Sequence, residues 1–457
     1  MSNEDRISIL KEKREKINSI SPSFCSAKWL QTTLYLQNGY NHSCHHPSPH
    51  KIPIPEVIAN PAALSNSKEK KEARKEMLAG IRPKECDYCW KIEDLNKDYF
   101  SDRHYKTADC WSWDRIDEVS QAPWDKDFFP SYLEVSFSNA CNFKCSYCSP
   151  EISSKWLEEI KQFGPYPTTG SSHDLNWLKQ GGRYPYKHSE PNPYVHAFWK
   201  WFPEAYKHLR VFRITGGEPL LSKDTWKVLE YIKQNPKKDL EIAINSNLCV
   251  EDKLIDKLIV YLNELRGVVG NVRLFTSLES TGEQAEYSRF GLDYEKWKAN
   301  MDKVLTETKV RITIMTTINI LSLPTMTDFI ELMMTYRSKY NDKASLNRVP
   351  ISFNFLRWPA HLDVKILPES MRKQYSQVIL ETANKYLIPN AENDVARIYL
   401  EEFDQIKRFC DYLTTDPGDV ISKQKDFVKF IEEYDRRRLL SFEEVFPELS
   451  TLLEIWK

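Results

Sequence analysis

From residue 131 to about 358 the chain alternates two rhythms. Short apolar runs occur at 132–137, 209–214, 240–245, 272–278, 310–318 and 350–356. Between them, apolar residues recur every three or four positions near 198–208, 224–234, 252–266, 293–307 and 324–340. The first rhythm suits strands and the second suits amphipathic helices. Six strands with intervening helices predict parallel βαβ units in an α/β fold, open or closed into a barrel. The first crossover is the longest. Its extra part, about 150–195, contains PYPTTGSSH, GGRYPYKH and EPNPY and reads as an inserted loop or lid.

Outside this region the texture differs. Residues 1–19 read as a charged helix or a loose tail, and 20–125 are rich in Pro, Asn, Ser and His. Lys68–Leu78 is the one good helical stretch there, so the segment needs a staple other than an apolar core. After residue 360 the pattern is mainly helical and ends in the apolar stretch FPELSTLLEIW. Three regions follow: 1–125, 126–360 with the insertion, and 361–457. No internal repeat or low-complexity tract is evident.

The 457 residues are 41% hydrophobic and 28% charged, enough apolar mass for a sizeable core. Lys plus Arg is 64 and Asp plus Glu is 65, a net charge of -1. Near-neutrality argues against a protein that holds long nucleic acid by bulk charge, while leaving room for a local basic patch. No run of 18 apolar residues predicts a membrane span. The opening MSNEDRISILKEKREK lacks a signal-peptide core, so a reducing, cytoplasmic location is expected. In that compartment ten cysteines are not a disulfide framework. Eight of them lie within the first 148 residues, a skew that points to metal or cluster ligands.

Cys141, Cys145 and Cys148 form a C-x3-C-x2-C motif directly after the first strand. Thiolates hold iron–sulfur clusters, and three of them leave one iron of a [4Fe–4S] cluster without a protein ligand. Structural zinc wants four closed ligands, which this loop does not supply. With Tyr147 just before the third cysteine, the motif resembles that of the radical S-adenosylmethionine (SAM) superfamily. Supporting motifs follow in that family's order over roughly 131–358. Thr215-Gly216-Gly217-Glu218-Pro219, 67 residues after Cys148, is similar to the family's GGEP element. The resemblance implies that Gly216, Gly217 and Glu218 hold the methionine amino group of SAM. It implies contacts to the ribose or carboxylate from Asn245, Ser246 and Asn247. Ser277 and Glu279 close the fourth strand, and Arg289 resembles an arginine that contacts SAM in the peptide- and sulfatase-modifying branch. The implied fold is a partial (β/α)6 barrel, in which chemistry gathers at the C-terminal ends of the strands.

A second cysteine set precedes the barrel. Cys25, 13 residues, Gly39, four residues, Cys44, and later Cys86-Asp-Tyr-Cys89 resemble the auxiliary-cluster modules called SPASM and twitch. The shorter twitch type implies a second [4Fe–4S] cluster on Cys25, Cys44, Cys86 and Cys89, with Gly39 making a turn. The module precedes the barrel here, where in the familiar relatives it follows. Four such cysteines also satisfy tetrahedral zinc, and His42, His45, His46 and His50 crowd Cys44. Cys110 is expected to be buried, with ligand or hydrogen-donor roles open.

The resemblance implies reductive cleavage of SAM to a 5′-deoxyadenosyl radical, which abstracts a hydrogen atom from a substrate. The substrate expected is a peptide, a protein or a small metabolite. An auxiliary cluster favours an oxidative outcome, and a one-electron reductant such as flavodoxin or ferredoxin is the expected partner. Alternatives remain at this stage: epimerisation or rearrangement with a cysteine donor such as Cys249, a nucleotide or RNA substrate, and a non-catalytic SAM-binding remnant. Aromatics at Trp177, Tyr184, Tyr186, Tyr194, Trp199 and Trp201 suit either a substrate groove or packing.

Overall fold

In the computed structural model the described residues are 3–96, 98–171, 173–187, 189–341, 347–387 and 395–457. Six parallel strands form the centre: β4 (Tyr132–Ser136), β6 (Val211–Thr215), β7 (Lys237–Asn245), β8 (Val269–Ser277), β10 (Arg311–Met315) and β11 (Ile351–Ser352). Their order in space is their order in sequence, as right-handed crossovers produce. Helices Pro193–His208, Lys223–Gln234, Asp252–Leu265, Tyr294–Glu307 and Met326–Tyr340 make the crossovers, close to the ranges the periodicity predicts. Alternate strand residues, such as Phe212, Ile214, Ile242, Ile244, Leu274 and Ile312, are buried in the core that these helices share. Several of the intervening strand residues are polar or charged and only half-buried, among them Arg213, Asn245, Arg273 and Arg311. The sheet is open, with β11 at one edge. This is an α/β architecture that fits a partial radical-SAM-type barrel.

The N-terminal region departs from the expectation of a separate loop-rich body. β1 (Gln31–Tyr35) pairs in parallel with β4 over five residues, from Gln31 opposite Tyr132 to Tyr35 opposite Ser136. β2 (Tyr40–His42) and β3 (His50–Lys51) extend the same sheet antiparallel, giving nine strands. Gly39 turns the chain between β1 and β2 at φ +71°, and a Cβ there would enter the ring of Tyr194. A small second core also forms, with Phe24, Trp29, Leu30, Met77, Trp90 and Trp111 beside Cys25, Cys86 and Cys89. Helix Lys68–Leu78 appears as predicted. Its Lys70 is buried and donates to the Gln31 carbonyl and to Thr32 Oγ1.

The 150–195 insertion is more ordered than a loop. Helix Ser154–Phe163 is capped by Ser153 Oγ, which accepts from Trp156 N–H, and it buries Trp156, Leu157 and Ile160. Their spacing gives one apolar face, too short to stand out among the Pro- and Gly-rich flanks. Helix Leu175–Gln180 follows. Helix Ile421–Arg438 of the C-terminal region packs on this insertion. Glu159 accepts from Lys144 at 2.7 Å and pairs with Arg438 at 3.0 Å, while Thr169 N–H donates to Asp426. Helices Glu369–Lys385, Leu400–Thr414 and Pro447–Trp456 complete the C-terminal region. Among the described residues no helix is long and apolar enough to cross a membrane.

Candidate functional site

The C-terminal ends of β4, β6, β7 and β8 surround a cavity of about 190 Å³. It is lined by Cys141, Cys145, Tyr147 and Cys148, by Gly216, Gly217 and Glu218, by Asn245, Ser246 and Asn247, and by Ser277 and Arg289. Thus residues 148 positions apart in sequence, from Cys141 to Arg289, share one wall. The cysteine loop is held in three ways. β5 (Lys144–Cys145) pairs antiparallel with β9 (Arg289–Phe290), placing Cys145 opposite Arg289. Trp156 Nε1–H donates to the Cys145 carbonyl at 2.8 Å. Asn247 Nδ2 donates to Asn142 Oδ1 at 2.8 Å.

The two glycines are required by close approach. A Cβ on Gly217 would lie 2.4 Å from the Ala140 carbonyl oxygen. Gly216 has φ +131°, and a Cβ there would lie 2.9 Å from Ser136 Oγ. Glu218 is buried. Its Oε2 accepts from Asn247 N–H at 2.6 Å and its Oε1 from Leu220 N–H at 3.0 Å. Burial nevertheless raises its pKa to about 7, against these bonds and one from Ser246. A carboxylate has about four acceptor positions, so this one keeps capacity for a cationic ligand in the cavity.

Glu279 does not line the cavity. It is fully buried and accepts from Arg289 at 3.0 and 2.5 Å, from Tyr147 Oη at 3.1 Å and from Thr317 N–H at 3.3 Å. It therefore orients Arg289 and Tyr147. Against burial, the Glu279 carboxylate raises the pKa of Arg289 and keeps it charged. Arg289 Nη1 in turn lies 4.0 Å from Cys145 Sγ. Burial, then the neighbouring Cys145, holds the Cys141 thiol well above its usual range. Burial lifts Cys148 to about 12 and raises Cys145. Thiols that resist ionising alone, gathered on one wall, suit coordination to a metal centre, which takes the thiolate outright. The donors fit an iron–sulfur cluster with SAM alongside.

Cys25, Cys44, Cys86 and Cys89 meet at a second, tight pocket in the N-terminal core. Lys28, Arg103 and Lys106 line it as well, cations that the sequence gives no periodic signal for. Lys28 is buried and paired with Glu85, which also meets His50. Burial raises Cys86 and Cys89 to about 12. His46 also lines the pocket, but its Nε2 is taken by Asp102 at 2.7 Å. His42 bonds the Cys44 carbonyl and stacks on Tyr35. Among the described residues no three His, Cys, Asp or Glu side chains close around a point that would hold a single metal ion.

The remaining thiols lie elsewhere. Cys110 is exposed, not buried as expected, because it opens the short helix Cys110–Trp113 at a cleft beside Val211, Leu240 and Gly270, at the opposite end of the strands. Cys249 points its thiol at the Asp293 carbonyl, 3.4 Å away, and is not on the cavity wall. Cys410 is buried against the Ser376 carbonyl. Of the aromatics in and after the insertion, Tyr194 and Trp201 are core residues and Trp177 is exposed.

A strand-end cavity with three thiols, a close-approach glycine pair and a buried carboxylate defines a cluster-and-cofactor site on a parallel α/β sheet. Residues 135–335 match the family model of the radical SAM superfamily, and this part of the chain is a radical SAM domain. The chain is similar to GTP 3',8-cyclase of Aliarcobacter butzleri (strain RM4018), 30% identical over 128 residues, 28% of this chain and 30% of that protein. It is also similar to GTP 3',8-cyclase of Campylobacter lari, 27% identical over 124 residues, 25% and 27% of the two chains. A third similarity is to a probable GTP 3',8-cyclase of Methanococcus vannielii, 25% identical over 200 residues, 41% of this chain and 60% of that protein. The chain thus spans less than a third of the first two relatives.

Proposed function

We propose that this protein is a twitch-type radical SAM enzyme carrying two [4Fe–4S] clusters, one on Cys141, Cys145 and Cys148 and an auxiliary one on Cys25, Cys44, Cys86 and Cys89. Bound together, the first cluster and SAM supply a carbon radical able to take a hydrogen atom from an unactivated position. The chain's own residues do the positioning. Gly216 and Gly217 let backbone approach the methionine end, and Glu218 meets its ammonium. Asn245, Ser246, Asn247 and Ser277 face the rest of SAM. Glu279 fixes Arg289 and Tyr147. The substrate enters from the half-buried face of the sheet, and the product is a peptide, protein or small molecule oxidised by the loss of hydrogen.

The observation that carries this reading is the second thiol pocket. Four cysteines spread over 65 positions, from Cys25 to Cys89, converge there, with three cations around them. His45, beside Cys44, is held at about 4 by burial, then by Lys106 and by Arg213 of β6.

The test is anaerobic reconstitution with iron and sulfide, an iron count and an assay for 5′-deoxyadenosine. About eight irons are expected in the wild type, and about four in a Cys141/Cys145/Cys148 triple-Ala variant that no longer cleaves SAM. One zinc and no iron in that variant would remove the auxiliary cluster.

A nucleotide substrate is the second reading. The GTP 3',8-cyclases named above support it, as do Arg213, Arg273 and Arg311, which stand in register on β6, β8 and β10 on the half-buried face. Hydrogen abstraction from a nucleoside triphosphate in preference to peptides would select it.

A further inference from the structure

A cavity of about 850 Å³ lies outside the SAM site. Its floor is apolar, with Phe137, Val195 and Trp199 among the lining residues. Its rim carries four exposed lysines: Lys187, Lys200, Lys223 and Lys227. Lys187 pairs with Glu190, and Lys227 lies over the Trp199 ring at 3.8 Å. Lys200 and Lys223 show no ion pair or hydrogen bond among the described residues. Asp224 is occupied by Trp199 Nε1–H at 2.8 Å. The rim is therefore net positive on a chain whose overall charge is -1.

The cleft and the SAM cavity share a wall two backbone segments thick. Ser138 lines the cleft, while Gly216 and Gly217 line the SAM cavity. The two segments are in contact: Glu218 N–H donates to the Ala140 carbonyl at 2.7 Å, and a Cβ on Gly217 would enter Ala140. Cys141 is the next residue. No substrate can cross such a wall, but an electron can. On the other side of the cysteine loop the approach is covered. Helix Ile421–Arg438 lies over it, with Tyr434 Oη reaching the Lys144 carbonyl and Arg438 over the Trp156 ring.

We propose that this lysine-rimmed cleft is the docking site of a small acidic one-electron carrier protein, which serves the group held by Cys141, Cys145 and Cys148. It rests on the radical SAM reading above. One electron leaves the carrier, which is oxidised, and enters that group, which is reduced; no atom or proton is transferred. Complementary charge steers such encounters and makes them salt-sensitive, and an apolar floor supplies the contact area.

The test measures binding directly. A purified acidic flavodoxin and a plant-type ferredoxin are titrated into the full-length protein by calorimetry at low and high salt. Wild type should bind at least one of them, more weakly as salt rises. Lys200→Glu/Lys223→Glu should weaken binding at least tenfold. Lys309→Glu/Lys385→Glu makes the same charge change at exposed lysines outside the cleft, and should leave binding within twofold. Dithionite-driven formation of 5′-deoxyadenosine should be unchanged in the cleft variant, showing that its fold and SAM site are intact. Equal weakening in both double variants, or no weakening in the cleft variant, overturns the proposal. So does failure of both carriers alongside binding of a Glu-rich peptide. Failure of wild type to cleave SAM with dithionite would instead strike the radical SAM reading and leave the binding result standing.

Discussion

Glu218 is the residue whose environment does most to set its chemistry. Its pKa of about 7 lies above that of an unfolded glutamate, so the carboxylate is protonated in mildly acidic solution. The ionised form is the one that pairs with an ammonium. SAM affinity should therefore rise with pH up to about 7 and level off above it, falling toward tenfold per unit below. The same raised value means that ionising Glu218 costs stability as pH rises from the ordinary carboxylate range through 7. Glu218→Ala should lower SAM affinity roughly ten- to a hundred-fold, the equivalent of about 1.5–3 kcal/mol for a charge-assisted bond. It should also flatten the pH profile; equilibrium dialysis from pH 6 to 8.5 reads both. Glu279 behaves differently. It is committed to Arg289 and Tyr147, so Glu279→Gln should leave a buried, unpaired guanidinium. A loss of stability of about 3–5 kcal/mol is expected in denaturant melts. The sequence places both glutamates at strand ends. It does not distinguish the one facing the cavity from the one behind it, because that depends on Arg289, ten residues further on.

Among elements, the clearest case of missed order is the insertion. Its turn-rich flanks hide helix Ser154–Phe163, whose hold on the body depends on partners near the other end of the chain. Glu159 bridges Lys144, beside Cys145, to Arg437 and Arg438, and all but Lys144 are nearly inaccessible. Removing the carboxylate leaves the buried Arg438 guanidinium without its carboxylate, while Arg437 keeps Glu433. Glu159→Ala should destabilise the fold by about 3–5 kcal/mol, and amide exchange should speed up in both 154–163 and 421–438. Exchange confined to 154–163 would show that the clamp is not shared. The barrel strands, by contrast, were legible because each combines β-branched or aromatic residues with a following 3.6-residue rhythm. The predicted ends err by up to three residues where polar positions continue the strand, as at Lys237 and Val269.

For the whole molecule, β1 is the element that the sequence hid. Gln31-Thr-Thr-Leu-Tyr35 is short and lies among Pro- and His-rich segments, yet it completes the hydrogen bonding of β4. The N-terminal region is thus part of the sheet as well as the bearer of five thiols, four of them at the tight pocket. Deleting residues 1–125 should expose the β4 edge and strip the inner partners of Tyr194 and Gln37's neighbour Ser136. Such a truncation is expected to be insoluble or aggregated. A monomeric, SAM-binding product in size-exclusion chromatography would show that the barrel stands alone.

The β1–β4 pairing also sets a schedule. On the ribosome Cys25, Cys44, Cys86 and Cys89 all emerge before Tyr132 does, but β1 lacks its parallel partner β4 until then. Closing that gap of about a hundred residues is the slow, entropy-limited kind of contact. The first thiols to be synthesised therefore wait on a strand about a hundred residues further along the chain. During that interval they stay open to solutes that the closed N-terminal core, where Cys25, Cys86 and Cys89 are buried, keeps out.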